Sequence, residues 1–107
     1  MSDAPFFLLV DAAAAVSSIP PDSIVSRTVY QGDVTRMIVF GFAAGQELSE
    51  HTASKEALLY FVRGSAQLKL GDHQEKVGPG ALVRMQPHLP HSIHAEEETV
   101  MLLVMIG

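Results

Sequence analysis

The sequence predicts an all-β fold, a sandwich or barrel of short strands in one domain. Beyond Pro21, short runs of β-branched and apolar residues follow one another at regular spacing, separated by glycine- and proline-rich turns. No segment after residue 20 repeats its apolar residues with the period of about 3.6 that an amphipathic helix requires. A length of 107 residues suits a single domain with a real core.

The N-terminal segment, residues 1–23, is predicted to be an arm followed by a short helix. Its apolar run 6–10 is read as a short strand or arm, and Asp11 as the cap of an alanine-rich helical turn that ends before Pro20. The segment lacks the basic residues of a signal peptide, and its apolar run is too short to span a bilayer. We therefore expect a cytoplasmic protein with a barrel domain over residues 24–107.

The barrel strands are predicted in order from residue 24. Residues 24–30 are rich in β-branched side chains and end at a hairpin-like turn, 31–33. Residues 66–70 alternate apolar and polar side chains, whereas 34–43 and 99–106 are apolar at both parities, as strands covered on both faces are. Further strands are predicted at 57–62, 81–85 and 92–95, with a proline-containing loop at 86–90 and an acidic turn at 96–98.

Charge and cysteine content exclude several classes of function. The formal net charge of −5 leaves no basic stripe for nucleic acid, and an anionic membrane surface would repel the chain. The sequence has no cysteine, so disulfides, thiolate nucleophiles, cysteine-ligated zinc and iron–sulfur clusters are all excluded. We expect neither a nucleic-acid partner nor a membrane partner.

Two stretches each deliver one histidine after a glycine. Residues 45–57 read GQELSEHTASKEA, with His51 inside and Gly64 further on, and residues 80–91 read GALVRMQPHLPH and end in His91. The first stretch resembles the first motif of the cupin superfamily, in which a glycine is followed by two histidines, a glutamate and a second glycine. The second resembles the second cupin motif, a proline-rich turn that ends in a metal-binding histidine.

The resemblance extends over about residues 24 to 106, nearly the whole chain. The run GQELSEHTA is also similar to that of a subgroup of small single-domain bacterial cupins. What the resemblance implies is a double-stranded β-helix, or jelly roll, of the RmlC-like kind, usually assembled as a homodimer. We expect the dimer to form through residues 6–10 and the apolar outer face of 34–42, because a single sheet cannot leave both faces dry.

The first motif is degenerate at its ligand positions. In metal-binding cupins two histidines and a glutamate of the first motif join one histidine of the second around Fe, Mn, Ni or Zn. Carried over by position, His51 and His91 take the first and last places, while Ala53 and Ala57 occupy those of the second histidine and the glutamate. Half of the implied ligand set is therefore missing.

Neighbouring side chains are candidates for a third ligand. In a regular strand Glu47 shares the parity of His51, whereas Glu56 lies one residue off that register. His88 lies in the proline-containing loop, at the expected rim of the barrel. Two imidazoles alone do not complete a tetrahedral or octahedral shell, so we expect at most a weak site for Zn, Fe, Ni or Mn.

The alanines leave space that apolar side chains would line. The predicted pocket wall consists of Ala53, Ala57, Leu59, Phe61, Met85, Ile93, Met101 and Leu103. Such a wall suits a small, partly apolar ligand anchored by His51 and His91. The alternative is that these side chains fill a solid core, as they often do in barrels of this size.

Three functions follow from these observations. The first is binding of a small molecule in the central pocket, with an incomplete metal site. The second is a metal-dependent enzyme of the dioxygenase or isomerase kind, which would use His51 and His91 as ligands. The third is a sensor or interaction module with a vestigial pocket. The fold alone leaves the ligand open, because cupins carry many chemistries.

Overall fold

The computed structural model describes residues 4–107, so the first three residues of the predicted arm lie outside the described part. Residues 6–10 form an extended arm without strand pairing, and a short 3₁₀ helix spans Ala12–Val16. The strands are β1 (Ile24–Gln31), β2 (Thr35–Phe42), β3 (Glu47–His51), β4 (Glu56–Arg63), β5 (Ala66–Leu70), β6 (His73–Val77), β7 (Leu82–Met85), β8 (His91–Ala95) and β9 (Thr99–Ile106).

The strands form two antiparallel sheets that face each other as a jelly roll, which confirms the predicted fold class. One sheet has five strands in the order β1-β2-β9-β4-β7, and the other has four in the order β3-β8-β5-β6. Strand β6 was not predicted, because its sequence, HQEKV, is polar except for its last residue. It pairs only with β5 at the edge of the smaller sheet, where a strand needs no apolar face of its own.

The N-terminal helix covers the outer face of the larger sheet. The Asp11 carboxylate caps the helix by accepting from the Ala13 amide at 3.1 Å. Val16 then packs against Val39 of β2 and Val100 of β9. The chain's own helix thus packs on Val39, within the outer face of 34–42 that the sequence predicted as a dimer surface.

A single apolar core lies between the two sheets. Cross-strand rows carry it: Phe40 of β2 pairs with Met101 of β9, which pairs in turn with Phe61 of β4. Ile93 of β8 supplies the facing layer from the smaller sheet, in the same cluster. No helix within residues 4–107 has the length and apolar character needed to cross a membrane.

The chain changes sheets between the two halves of the first histidine stretch. Strand β3 ends at His51 in the smaller sheet, residues 52–55 cross over, and β4 begins at Glu56 in the larger sheet. The parity argument that related Glu56 to His51 assumed a regular strand, and it does not hold across this change of sheet. The crossover puts the side chains of β4 opposite those of β3 instead of in line with them.

Candidate functional site at the barrel mouth

His51 and His91 lie side by side at one end of the smaller sheet. They are directly paired residues of β3 and β8, and their ring centroids are 4.2 Å apart with the planes tilted by 59°. The His91 side chain is 6% exposed, while His51 is open to solvent. The structure thus brings together the two histidines that the sequence placed in separate stretches.

A backbone carbonyl fixes each imidazole. Nδ1 of His51 lies 2.8 Å from the carbonyl oxygen of Ser49, and Nδ1 of His91 lies 2.8 Å from that of Leu89. A carbonyl oxygen only accepts, so each Nδ1 must carry the hydrogen. In the neutral rings both Nε2 atoms then keep a free lone pair, the arrangement in which imidazole binds a metal ion or accepts from a ligand.

The two alanines lie where the resemblance implies ligands. Ala53 lies in the crossover after β3, and its carbonyl accepts from the His88 amide at 2.7 Å. Ala57 is buried on β4, where its cross-strand neighbours are Met85 and Met105. Neither position offers a lone pair from a side chain.

Two of the three candidate third ligands are engaged elsewhere. The Glu56 carboxylate accepts from Nε of Arg84 at 2.5 Å. Glu47 lies 3.3 Å from Nδ1 of His94, its cross-strand partner. Glu47 does not share the face of His51, contrary to the prediction, because a bulge between Leu48 and His51 reverses the alternation.

The third candidate, His88, is exposed in the loop before β8 with a φ of 70°. Across residues 4–107, no three histidine, aspartate or glutamate side chains come together in a group that could hold a metal ion. The residues present therefore fit half of a cupin metal centre: two anchored imidazoles without a carboxylate.

Most of the predicted pocket wall is packed. Ala57, Leu59, Phe61, Met85, Ile93 and Met101 are each 2% exposed or less and belong to one core cluster. Only Ala53 and Leu103 of the predicted wall are half-buried. The geometry favours the solid-core alternative for these six buried residues.

A cleft that the sequence did not predict opens beside the crossover. It has a volume of about 390 Å³, and Ala53, Arg36, Lys55, Asp33 and Met105 are among the residues that line it. The sequence places Arg36 and Lys55 nineteen positions apart, with no motif to connect them. They line the same cleft because β2 and β4 flank β9 in the larger sheet.

Known proteins resemble this chain over most of its length. The sequence model of the cupin domain matches residues 38–107. A conserved protein of unknown function from Streptococcus pyogenes is 27% identical, with 98% of this chain and 91% of that chain covered at a TM-score of 0.83. A cupin superfamily protein from Desulfitobacterium hafniense is 20% identical, with 99% and 93% covered at a TM-score of 0.82.

An enzyme shares the fold as well. The salicylate 1,2-dioxygenase of Pseudoaminobacter salicylatoxidans is 14% identical, and the match covers 81% of this chain and 26% of that chain at a TM-score of 0.74. At this level of identity the likeness shows the fold alone. No curated protein matches the sequence.

Proposed function

This chain belongs to the cupin domain family, and on that premise we propose that it binds a small molecule at the mouth of the barrel, held by His51 and His91. The observation that supports this is the pair of anchored imidazoles. Both Nδ1 atoms lie 2.8 Å from carbonyl oxygens, so the Nε2 atoms of two adjacent rings are left to accept from a ligand. A ligand with hydrogen-bond donors would bridge them.

The two rings differ in their exposure to solvent. His91 is nearly buried and cannot reorient without losing its carbonyl contact, while His51 is exposed at the strand end. Half-buried apolar side chains next to the core, Leu48, Leu70 and Leu89, belong to the same region of the smaller sheet and its loops. A ligand with a polar head and a small apolar part suits this mouth.

A screen by thermal shift tests the proposal. We expect some members of a library of small hydroxy and amino compounds to raise the melting temperature of the wild-type protein, and we expect His51→Gln and His91→Gln to abolish the rise. His94→Gln is the matched control, because His94 is on the same strand as His91 but pairs with Glu47. Compounds that stabilise the double variant His51→Gln/His91→Gln as well as wild type would contradict the proposal.

The metal-dependent alternative rests on the same anchored rings. His51 and His91 would hold a divalent Zn, Fe, Ni or Mn ion through Nε2, and such an ion supplies Lewis-acid or redox chemistry when bound. Because the described residues add no carboxylate to the pair, we expect weak binding, with dissociation constants on the order of 10 μM or weaker. This chain's own contribution is to hold two imidazoles by their Nδ1 atoms, with the Nε2 atoms left for the ion.

Equilibrium dialysis with Ni²⁺ or Zn²⁺ alone measures this affinity. His51→Gln or His91→Gln should each weaken metal binding by about tenfold or more, because only one of the two imidazoles is then left to hold the ion. His88→Gln and His94→Gln should leave it unchanged. Binding that survives the loss of both His51 and His91 would rule out the pair as the metal site.

We propose further that the protein is a homodimer through residues 6–10. Every residue of this apolar arm is exposed, with Val10 89% and Phe6 71% accessible. The arm lies next to β1, the edge strand of the larger sheet, with the rings of Phe7 and Tyr30 5.3 Å apart. A second copy would cover an apolar surface that is otherwise in contact with water.

A further inference from the structure

Two cations that form no ion pair with a carboxylate of residues 4–107 line the cleft beside the crossover. The sequence has seven lysine and arginine residues. Each of Arg63, Lys69, Lys76 and Arg84 has a glutamate oxygen within 3.8 Å. Within residues 4–107 the other three, Arg27, Arg36 and Lys55, form no ion pair with aspartate or glutamate, and two of those three line this one cleft.

Cations without an ion pair are unexpected in a chain that has more carboxylates than cations. Aspartates and glutamates outnumber lysines and arginines by twelve to seven, so carboxylates are abundant on the surface. Two cations that form no ion pair within residues 4–107 therefore share one concavity. A carboxylate bound in the cleft would give both cations an ion-pair partner.

The sheet register positions the two cations on either side of Met105. Arg36 of β2 pairs with Met105 of β9, whose other neighbour is Ala57 of β4, and Lys55 directly precedes β4. The backbones of β2 and β4 are therefore about 10 Å apart, two strand spacings. Long side chains from both sides reach a group that lies over Met105.

Arg36 is partly immobilised. Its Nη2 donates to the Thr28 hydroxyl at 3.3 Å, which uses one of the five guanidinium hydrogens and leaves the rest of the planar fork available. Asp33 also lines the cleft. Gly107, the last residue of the sequence, lines it as well, so the two cations share the cleft with the Asp33 carboxylate and a terminal carboxylate. These carboxylates would repel a polyanion more strongly than a monoanion.

The remaining lining makes the site partly apolar. Val34 is 62% exposed, and Ala53 and Met105 are half-buried in the same cleft. Its volume of about 390 Å³ is in the range of small-ligand sites. We infer that this cleft binds a small organic acid, with its carboxylate between Arg36 and Lys55 and its short apolar part against Val34 and Met105. The inference does not depend on the proposed function, because neither His51 nor His91 lines the cleft.

Titration with straight-chain carboxylates, followed by amide chemical shifts in the wild-type protein, tests the inference. We expect saturable shifts at residues 33–36 and 53–55, with a dissociation constant on the order of millimolar for butyrate. Affinity should rise roughly two- to fourfold for each methylene from acetate to butyrate as apolar surface is buried. Tighter binding of inorganic phosphate than of butyrate, or no saturation by about 50 mM butyrate, would overturn the inference.

Three substitutions that each remove one positive charge test where butyrate binds. Arg36→Gln and Lys55→Gln should each weaken butyrate binding by about fivefold or more, since each removes a charge-assisted hydrogen bond. Arg27→Gln is the matched control: it removes the third cation without an ion pair, which lies outside this cleft. All three side chains are exposed, so the variants should fold. Equal weakening by Arg27→Gln would show a general charge effect and overturn the assignment. Loss of butyrate binding in His51→Gln would also overturn it, because His51 does not line this cleft.

Discussion

Gly64 has a positive φ and lies against other atoms, so its position does not accommodate a side chain. Its φ is +90°, and a Cβ added there would lie 2.4 Å from both the Glu98 carbonyl oxygen and the Thr99 hydroxyl oxygen. Both neighbours are held in place, because Thr99 is fully buried and its hydroxyl lies 2.8 Å from the Glu97 carbonyl. A side chain at Gly64 would therefore have to displace the start of β9.

Gly64→Ala is expected to lower the free energy of unfolding by about 3 kcal/mol or more, as strain and a steric clash add. Gly45→Ala is the control, with a similar φ of +84° and nothing within 4 Å of the added Cβ. It should cost only about 1 kcal/mol, the strain of a positive φ alone. Urea denaturation measures both, and equal losses in the two variants would refute the clash.

The contrast between these glycines shows what the sequence could not predict at this scale. Both were identified from the pattern, Gly45 and Gly64 as the two ends of the first motif. Nothing local distinguishes an open turn from a glycine pressed against the β8–β9 connection, 34 residues or more away along the chain. The same holds for His51: its place beside His91 was predicted, but the carbonyl that orients its ring was not.

At the scale of elements, the acidic turn between β8 and β9 ties three other strands together. The Glu96 carboxylate accepts from Gln67 at 3.1 Å and lies 3.4 Å from Nζ of Lys76. Glu98 accepts from Arg63 at 2.9 Å. The carboxylates of Glu96 and Glu98 thus diverge toward separate partners on β4, β5 and β6.

The turn makes stability depend on pH. The hydrogen bond from Gln67, followed by Lys76, lowers the pKa of Glu96 below its ordinary value of 4.5. A lowered folded pKa stabilises the protein fully above 4.5, and this contribution is lost as the pH falls through the folded value. Gln67→Ala should raise the pKa of Glu96 toward 4.5, and Lys76→Gln should raise it less.

Carboxyl chemical shifts recorded against pH report that titration directly. The urea midpoint of wild type should fall more steeply than that of Gln67→Ala as the pH drops below 4.5. A Glu96 pKa that is the same in wild type and Gln67→Ala would show that the hydrogen bond has no such effect.

The strand pattern predicted most elements, and its failures have two causes. Apolar runs marked β2, β4 and β9 because those strands are buried in the larger sheet, with Val39 and Phe61 fully inaccessible. Strands β3 and β6 are the two edges of the smaller sheet and are largely polar, so the pattern has little signal there. The change of sheet after His51 depends on tertiary packing, which alternation along a strand does not encode.

At the scale of the whole molecule, the jelly roll explains why part of the site was predictable. Its topology pairs the end of β3 with the start of β8, so two motifs 40 positions apart in the chain converge wherever this fold forms. The cleft of Arg36 and Lys55 has no such motif. It arises where the β1–β2 hairpin and the crossover both border β9, and only the assembled sheet shows it.

The exposed arm is the last feature that only the whole molecule accounts for. Residues 6–10 follow one edge of the larger sheet, at β1, and are entirely apolar. The opposite edge of that sheet, at β7, also presents an apolar side chain, Leu82, which is 69% exposed. A run of five contiguous apolar side chains offers more surface to a second copy than a single exposed leucine does.

Sedimentation distinguishes the two edges. We expect wild type to be a dimer at micromolar concentration, Phe6→Ser/Leu8→Ser to be a monomer, and Leu82→Ser to remain a dimer. The reason is that burying each of the two arm side chains contributes about 1.5 to 3 kcal/mol per copy, so a symmetric interface loses the contribution twice. The arm touches no part of the central core cluster, so the monomeric variant should keep a cooperative unfolding transition. A wild-type monomer, or a double variant that still dimerises, would show that the arm is not the interface.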